Sequence, residues 1–167
     1  MIRRARADDV DFLVELYSEP DVRPFLAGGH DFGRDAVAAE VERSEREPDA
    51  FGRFVIEVDG EPAGALGFER TNERSRIAQL GGLAVHPRFR GRRLADAAAR
   101  ELVRRLLLDA GFHRLELEIY GFNERAIGHA ERAGFVREGV KRKAYRHGDG
   151  WVDGLLYAIV REDLGAE

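Results

Sequence analysis

The run Leu83-Ala84-Val85-His86-Pro87-Arg88-Phe89-Arg90-Gly91-Arg92-Arg93-Leu94-Ala95 carries the densest chemical signal in the chain. An apolar, strand-type stretch feeds a Gly/Arg loop, and the loop opens a helix. Unpaired amides at a helix N-terminus, the positive end of the helix dipole and adjacent guanidinium groups together favour a bound pyrophosphate. The loop lacks the Gly-Lys-Ser/Thr of a P-loop and the Gly-x-Gly-x-x-Gly of a dinucleotide site. An arginine run taken alone is more often a solvated surface, so the pyrophosphate reading needs support from elsewhere in the chain.

Candidate proton handlers lie further along. Glu116, Glu118 and Tyr120 alternate with Leu115, Leu117 and Ile119, which puts the polar set on one face of a strand. A carboxylate there could relay a proton from an attacking amine, although a solvated strand face is the ordinary role. Glu69 and His86 are further candidates, each with a plain surface role as its alternative. Tyr120, Tyr145 and His129 are the groups able to protonate a leaving thiolate. Phe25 and Phe32, with Tyr17, either line a substrate pocket or pack the core.

Other chemistries are excluded quickly. The chain has no cysteine, so disulfides, thiolate nucleophiles and Cys-ligated metals fall together. None of its three serines sits in Gly-x-Ser-x-Gly. Its five histidines show no metal-ligand spacing, so no metal is expected.

The elements that must position these residues read as mixed α/β. Ile2 to Arg6 is a short strand; Asp8 and Asp9 can cap a helix ending near Ser18; Asp21 to Leu26 is a turn or short helix. Gly28-Gly29-His30 opens a loop expected to be mobile, and Arg34 to Arg46 is a strongly polar helix. Phe54 to Val58, the Asp59-Gly60 turn and Ala63 to Phe68 form a hairpin, followed by a strand from Ile77 to Val85. After the arginine loop come a helix from Leu94 to Ala110, a strand from Leu115 to Tyr120 and a helix from Asn123 to Ala133. Strands from Phe135 to Lys143 and Trp151 to Val160 flank a turn at His147-Gly148-Asp149-Gly150. The front half is antiparallel, and the second half contains a β-α-β crossover.

With 167 residues, 44% of them hydrophobic and 35% charged, the chain suits a single domain over 1–167 with a sizeable core. Its least polar stretches, such as Gln79 to Val85, fall far short of the ~20 apolar residues of a membrane span. Met1-Ile2-Arg3-Arg4-Ala5 leads into Asp8-Asp9 and not into an apolar signal core, so the expected location is the cytoplasm. The net charge of -4 argues against a general nucleic-acid binder but is unevenly spread. Glu19 to Asp49 holds nine acidic residues against four arginines, whereas Arg88 to Arg105 holds seven arginines against Asp96 and Glu101. One region suits a cation and the other an anion.

Arg90-Gly91-Arg92-Arg93-Leu94-Ala95 resembles the Gln/Arg-x-x-Gly-x-Gly/Ala motif that follows the fourth strand in the GNAT superfamily of acyl-CoA-dependent N-acetyltransferases, with Arg93 where the family usually has glycine. Asn123-Glu124-Arg125-Ala126 and Gly134-Phe135 follow in order, similar to the family's Asn-x-x-Ala/Ser helix and Gly-Phe. The tail, with Glu138, Gly139, Ala144, Tyr145, Asp153 and Tyr157, looks like the branch of ribosomal-protein N-terminal acetyltransferases RimJ and RimL. Many family members carry a proton-donating tyrosine where this chain has Ala130, which leaves the general acid open.

The resemblance implies a GNAT-like α/β (α+β) fold: a mixed, mostly antiparallel sheet of six to seven strands, about four helices and a splayed central strand pair. It implies acetyl-CoA as cosubstrate, held by Leu83, Ala84, Val85, Arg90 to Ala95 (Gly91, Arg92, Arg93 and Leu94 included) and Asn123. The Val85 N–H would polarise the thioester carbonyl, Glu118 and Tyr120 would move protons, and Phe25, Phe32 and Glu69 would meet the acceptor. The expected acceptor is an amine, in the main reading a peptide or protein N-terminal α-amine and in the alternative a small amine such as a polyamine, amino sugar or antibiotic; a second copy in a homodimer is the other expected partner. Neither nucleic acid nor membrane is expected. A non-catalytic acyl-CoA-binding module is the other class of reading.

Overall fold

The computed structural model describes residues 1–26 and 31–165. Seven strands, β1 (Ile2–Arg4), β2 (Phe51–Val58), β3 (Glu61–Asn72), β4 (Ile77–Val85), β5 (Arg114–Tyr120), β6 (Val136–His147) and β7 (Gly150–Val160), form one sheet. Their order is β1-β2-β3-β4-β5-β7-β6. All neighbours are antiparallel except β4 and β5, which are joined by a crossover through α3 (Leu94–Arg104). Helices α1 (Val10–Ser18) and α2 (Arg34–Arg46) cover one face of the sheet; α3 and α4 (Glu124–Arg132) cover the other. The mixed, mostly antiparallel architecture expected from the sequence is the one observed.

Strand alternation builds two cores. Phe54, Ile56, Leu66, Phe68, Leu115, Ile119, Tyr157 and Ile159 face α3 and α4 and meet Leu102, Val103, Leu106 and Leu107. Val55, Ala65 and Ala84 point the other way, to Leu13, Leu16, Tyr17, Val37 and Val41 of α1 and α2. Each fully buried leucine, such as Leu13 or Leu102, contributes about 1.5–3 kcal/mol. The polar α2 adheres through a narrow stripe, Val37, Val41 and Ser44. The Ser44 Oγ accepts the Arg53 N–H at 2.9 Å and a hydrogen bond from Arg4 at 3.0 Å.

Several boundaries differ from the sequence reading, each for a tertiary reason. The first strand stops at Arg4, because the Asp9 carboxylate draws the chain into a turn by accepting from the Arg6 N–H at 2.7 Å and from Arg3 at 2.7 and 3.0 Å. Asp9 thus caps the short turn Ala7–Asp9 before α1. The helix expected to reach Ala110 stays α-helical only to Arg104. A wider turn follows over Arg105–Asp109, closed by Ala110 N–H to the Arg105 carbonyl at 2.9 Å. That widening buries Leu106 and Leu107 together and leaves Leu108 exposed. The β2–β3 and β6–β7 hairpins run longer than alternation suggested because cross-strand pairing continues past the apolar runs. The Gly28-Gly29-His30 loop lies outside the described residues.

Two features of β4 shape the site. It pairs with β5 only at Ile77 to Gln79, opposite Arg114 to Glu116, and the strands part beyond Leu80. Its register against β3 also slips between the pairs Gly67–Gly81 and Ala65–Ala84, a bulge in which Gly82 adopts φ +67°. Glycine reaches that backbone conformation without penalty.

Candidate active site

The gap between β4 and β5 leaves the edge of β4 without a partner strand beyond Gln79. The His86 N–H bonds the Ala63 carbonyl at 2.8 Å, so His86 faces β3. Alternation along an antiparallel strand then turns the Val85 N–H away from β3 and into the gap, where no strand pairs with it. Gly81 is exposed there, and a Cβ at that position would meet nothing within 4 Å.

At the end of β4 the arginine loop is anchored by the buried ring of Phe89, over which the Arg88 and Arg92 guanidiniums lie at 4.9 and 5.6 Å. Gly91 has φ +83°. Arg93, standing where the resembling motif has glycine, adopts φ 55° and ψ 28°. The left-handed turn is therefore kept at Arg93, at a steric cost of roughly 1–2 kcal/mol. No side chain caps the first amides of α3, which leaves them free to receive an anion. Arg90 is held by Asp21, whose carboxylate and carbonyl each lie 3.4 Å from the guanidinium.

On the β5 side, Glu118 is half-buried and both its oxygens are engaged. Tyr145 donates its hydroxyl to Oε1 at 2.5 Å, and Lys141 lies 3.3 Å from Oε2. The hydrogen bond to Glu118, with burial added, pushes the Tyr145 hydroxyl above its usual pKa; the same carboxylate raises that of Lys141. Tyr120 stacks on Phe122 at 5.6 Å and meets Tyr145 edge-on at 5.5 Å. Gln79, Arg114, Glu116, Glu118, Glu138 and Lys141 line a groove of about 310 Å³ on this face, in which Arg114 bridges Glu116 and Glu138 and Lys141 faces Glu118.

The other residues singled out from sequence are placed less centrally. Asn123 is buried, but its Oδ1 accepts the Ala126 N–H at 3.2 Å as the cap of α4, and its Nδ2 donates to the Phe25 carbonyl at 3.5 Å. Its polar atoms are thus used within the chain. Phe25 is exposed and meets Phe122 at a tilt, ring centroids 5.8 Å apart. Phe32 packs on Tyr17 at 5.3 Å in the second core. Glu69 is tied to Arg43 at 3.0 Å under α2. His86 Nε2 lies 3.3 Å from carboxylate oxygens of both Glu15 and Glu19, where the end of α1 meets the end of β4.

Two constellations escaped the sequence reading. Asp96, in the first turn of α3, lies 2.6 Å from His129 Nδ1 and accepts from Arg132 Nε at 2.8 Å. Burial pushes its carboxyl up, but the bonds from Arg132 and His129 outweigh that and hold it below the usual value. His129 is thereby committed to joining α3 and α4. Arg53, on β2, lies against Tyr17 and Glu40. Neither has a local sequence signature, since their partners are 33 to 36 residues away or on other elements.

A model of the acetyltransferase (GNAT) family matches residues 10–135, most of the chain. The chain belongs to the GNAT family. Over 92 residues this GNAT chain is 35% identical to the spermidine N(1)-acetyltransferase of Escherichia coli K12, covering 52% of the chain and 46% of that protein. It thus aligns with about half the length of that curated relative. An acetyltransferase of Pectobacterium atrosepticum is 30% identical over 132 residues, covering 78% and 84%. The crystal structure of spermidine N-acetyltransferase from Vibrio cholerae with CoA and spermine superposes with a TM-score of 0.86 at 17% identity, covering 99% and 98%, a likeness of fold. GNAT enzymes use acetyl-CoA as their cosubstrate. No helix among the described residues is long and apolar enough to cross a membrane.

Proposed function

We propose that this chain transfers an acetyl group from acetyl-CoA to a primary amine of a small cationic acceptor of the polyamine type. The observation that carries the reading is the one-sided parting of β4 and β5, with the Val85 N–H turned into it, the arginine loop at one end and Glu118 and Tyr120 along its β5 edge. The residues fit the cosubstrate: α3 amides with Arg90 and Arg92 for the pyrophosphate, the strand edge from Leu83 to Val85 for pantetheine. Bound acetyl-CoA supplies the thioester.

The chain's own part is to hold and polarise. The Val85 N–H donates to the thioester oxygen as charge develops there. Glu118, alone or through water, takes the proton the amine loses on attack. The amine lone pair forms the C–N bond, and collapse of the adduct breaks the C–S bond, whose electron pair leaves as thiolate. Tyr145 is bonded to Glu118 and His129 to Asp96, whereas the Tyr120 hydroxyl is uncommitted among the described residues and is the donor for that thiolate. The reaction asks for no covalent enzyme intermediate, in keeping with a cysteine-free chain.

The excess of acidic residues over Glu19 to Asp49 supports a cationic acceptor, and the spermidine acetyltransferases among the relatives support a small amine. The resemblance to the RimJ and RimL branch supports instead a peptide α-amine. Thiol release from acetyl-CoA, assayed with spermidine-type amines, amino sugars and Ser- or Ala-starting peptides, separates the two. Turnover of the polyamines is expected; turnover of peptides alone would move the assignment to N-terminal acetylation, and binding of acetyl-CoA without release would make the chain a non-catalytic module. For a second copy, the edge strand β6, with exposed Val136 and Val140, is the surface on offer, and sedimentation equilibrium tests it.

A further inference from the structure

Arg53 is nearly buried, yet two of its donors, Nε and Nη1, have no partner among the described residues. Its Nη2 pairs with Glu40 at 3.1 Å. The side chain crosses the sheet from β2, over its cross-strand partner Gly67 on β3, to the bulge of β4. A Cβ on Gly67 would approach Nη1 to 3.0 Å, and one on Gly82 to 2.5 Å. Glycines on two adjacent strands thus clear a channel that the guanidinium fills. The buried Tyr17 hydroxyl lies 3.7 Å from the same Cβ position on Gly82 and interacts with the Arg53 guanidinium. Leaving charged donors unpaired in a core is costly, and an apolar side chain of similar length would fill the channel without that cost. The position calls for a charge at the bulge and not merely for volume.

We propose that Arg53 is a positioning residue for acetyl transfer, shaping the β4 bulge and fixing a positive charge behind the site where the thioester oxygen becomes anionic. The inference rests on the reading that the thioester lies between β4 and β5. As the C–N bond forms, the carbonyl π pair moves to oxygen; as the C–S bond breaks, its pair goes to sulfur. Both charges arise along β4, against which the guanidinium lies at Gly82, three residues before Val85. A cation held rigidly in a water-poor setting stabilises them with no reorganisation during the reaction. Glu40, at the edge of the buried stripe of α2, pairs with Arg53 through Nη2, and Nη1 is the nitrogen next to Gly82.

The test compares R53M, R53K and E40Q with the wild-type chain, using acetyl-CoA and the best amine from the panel above. Expected in R53M is a fall in kcat of about tenfold to a hundredfold, with calorimetric acetyl-CoA affinity within about threefold and near-wild-type KM for the amine. R53K recovers much of the loss because it restores charge. E40Q, which keeps the guanidinium and removes its counter-charge, raises kcat, and it decides the matter if R53M does not fold. Unchanged kcat in R53M, an R53K no better than R53M, or a tenfold fall in E40Q would each overturn the proposal. A wild-type chain that releases no thiol with any amine would instead overturn the acetyl-transfer reading, a result distinct from all three.

Discussion

Glu118 shows how a side chain's chemistry is set by what holds it. With Tyr145 on one oxygen and Lys141 near the other, it is fixed in place at the edge of the β4–β5 gap. A carboxylate so held is well placed to receive a proton from an incoming amine but gives up part of its accepting capacity. Glu118→Gln keeps the shape and the Tyr145 contact while removing the charge. The expected outcome is a drop in kcat of roughly 10²-fold with acetyl-CoA affinity within about twofold, read by steady-state kinetics and calorimetry. Asp96 plays a different part. Its bonds to His129 and Arg132 join two helices in a half-buried setting, and Asp96→Asn should destabilise the fold by about 1–3 kcal/mol in urea unfolding.

At the scale of elements, the loop between β4 and α3 matters most. Its backbone path depends on left-handed residues at Gly91 and Arg93, on the Phe89 anchor and on the uncapped start of α3. Reversing charge in the double variant Arg90→Glu/Arg92→Glu should weaken acetyl-CoA binding by well over tenfold at low salt. An affinity within twofold of the wild-type value, by titration calorimetry, would remove the loop from the pyrophosphate site. Arg93→Gly tests the backbone separately. Relief of the left-handed strain is partly offset by the greater freedom of glycine in the unfolded chain. The variant should gain up to about 1 kcal/mol in stability, with acetyl-CoA affinity within about threefold.

Over the whole molecule, buried carboxylates tie the layers together and set the response to acid. Asp9 joins β1 to the turn before α1, and Asp96 joins α3 to α4. Burial raises both carboxyls, but hydrogen bonds from Arg3 and the Arg6 N–H at Asp9, and from Arg132 and His129 at Asp96, leave each below its ordinary pKa. A carboxyl whose folded value is depressed contributes stability that is fully present above its unfolded value, about 3.9, and is lost as pH falls through the folded value. Urea midpoints should therefore hold steady down to about pH 5 and fall below about pH 4. The double variant Asp9→Asn/Asp96→Asn should start lower and show a shallower acid limb.

Features that depend on neighbours along the chain are legible in the order of residues alone. The period-two strands, the polar α2, the Asp59-Gly60 turn and the Arg/Gly loop opening α3 are local patterns, and each appears in its expected order although several strand ends shift. So does Asn123 at the head of α4, because helix capping is a contact between residues three apart. Where β4 leaves β5 comes instead from packing in three dimensions, since it depends on register between strands separated by a whole helix. The same distance hid Arg53, whose importance lies in two glycines on other strands, and Asp96, whose partners sit on α4. Packing also settled the partners of Tyr145, His129 and Glu69: a titratable side chain is free or spent according to what folds against it, and residues brought together from distant segments leave no periodic trace in the sequence.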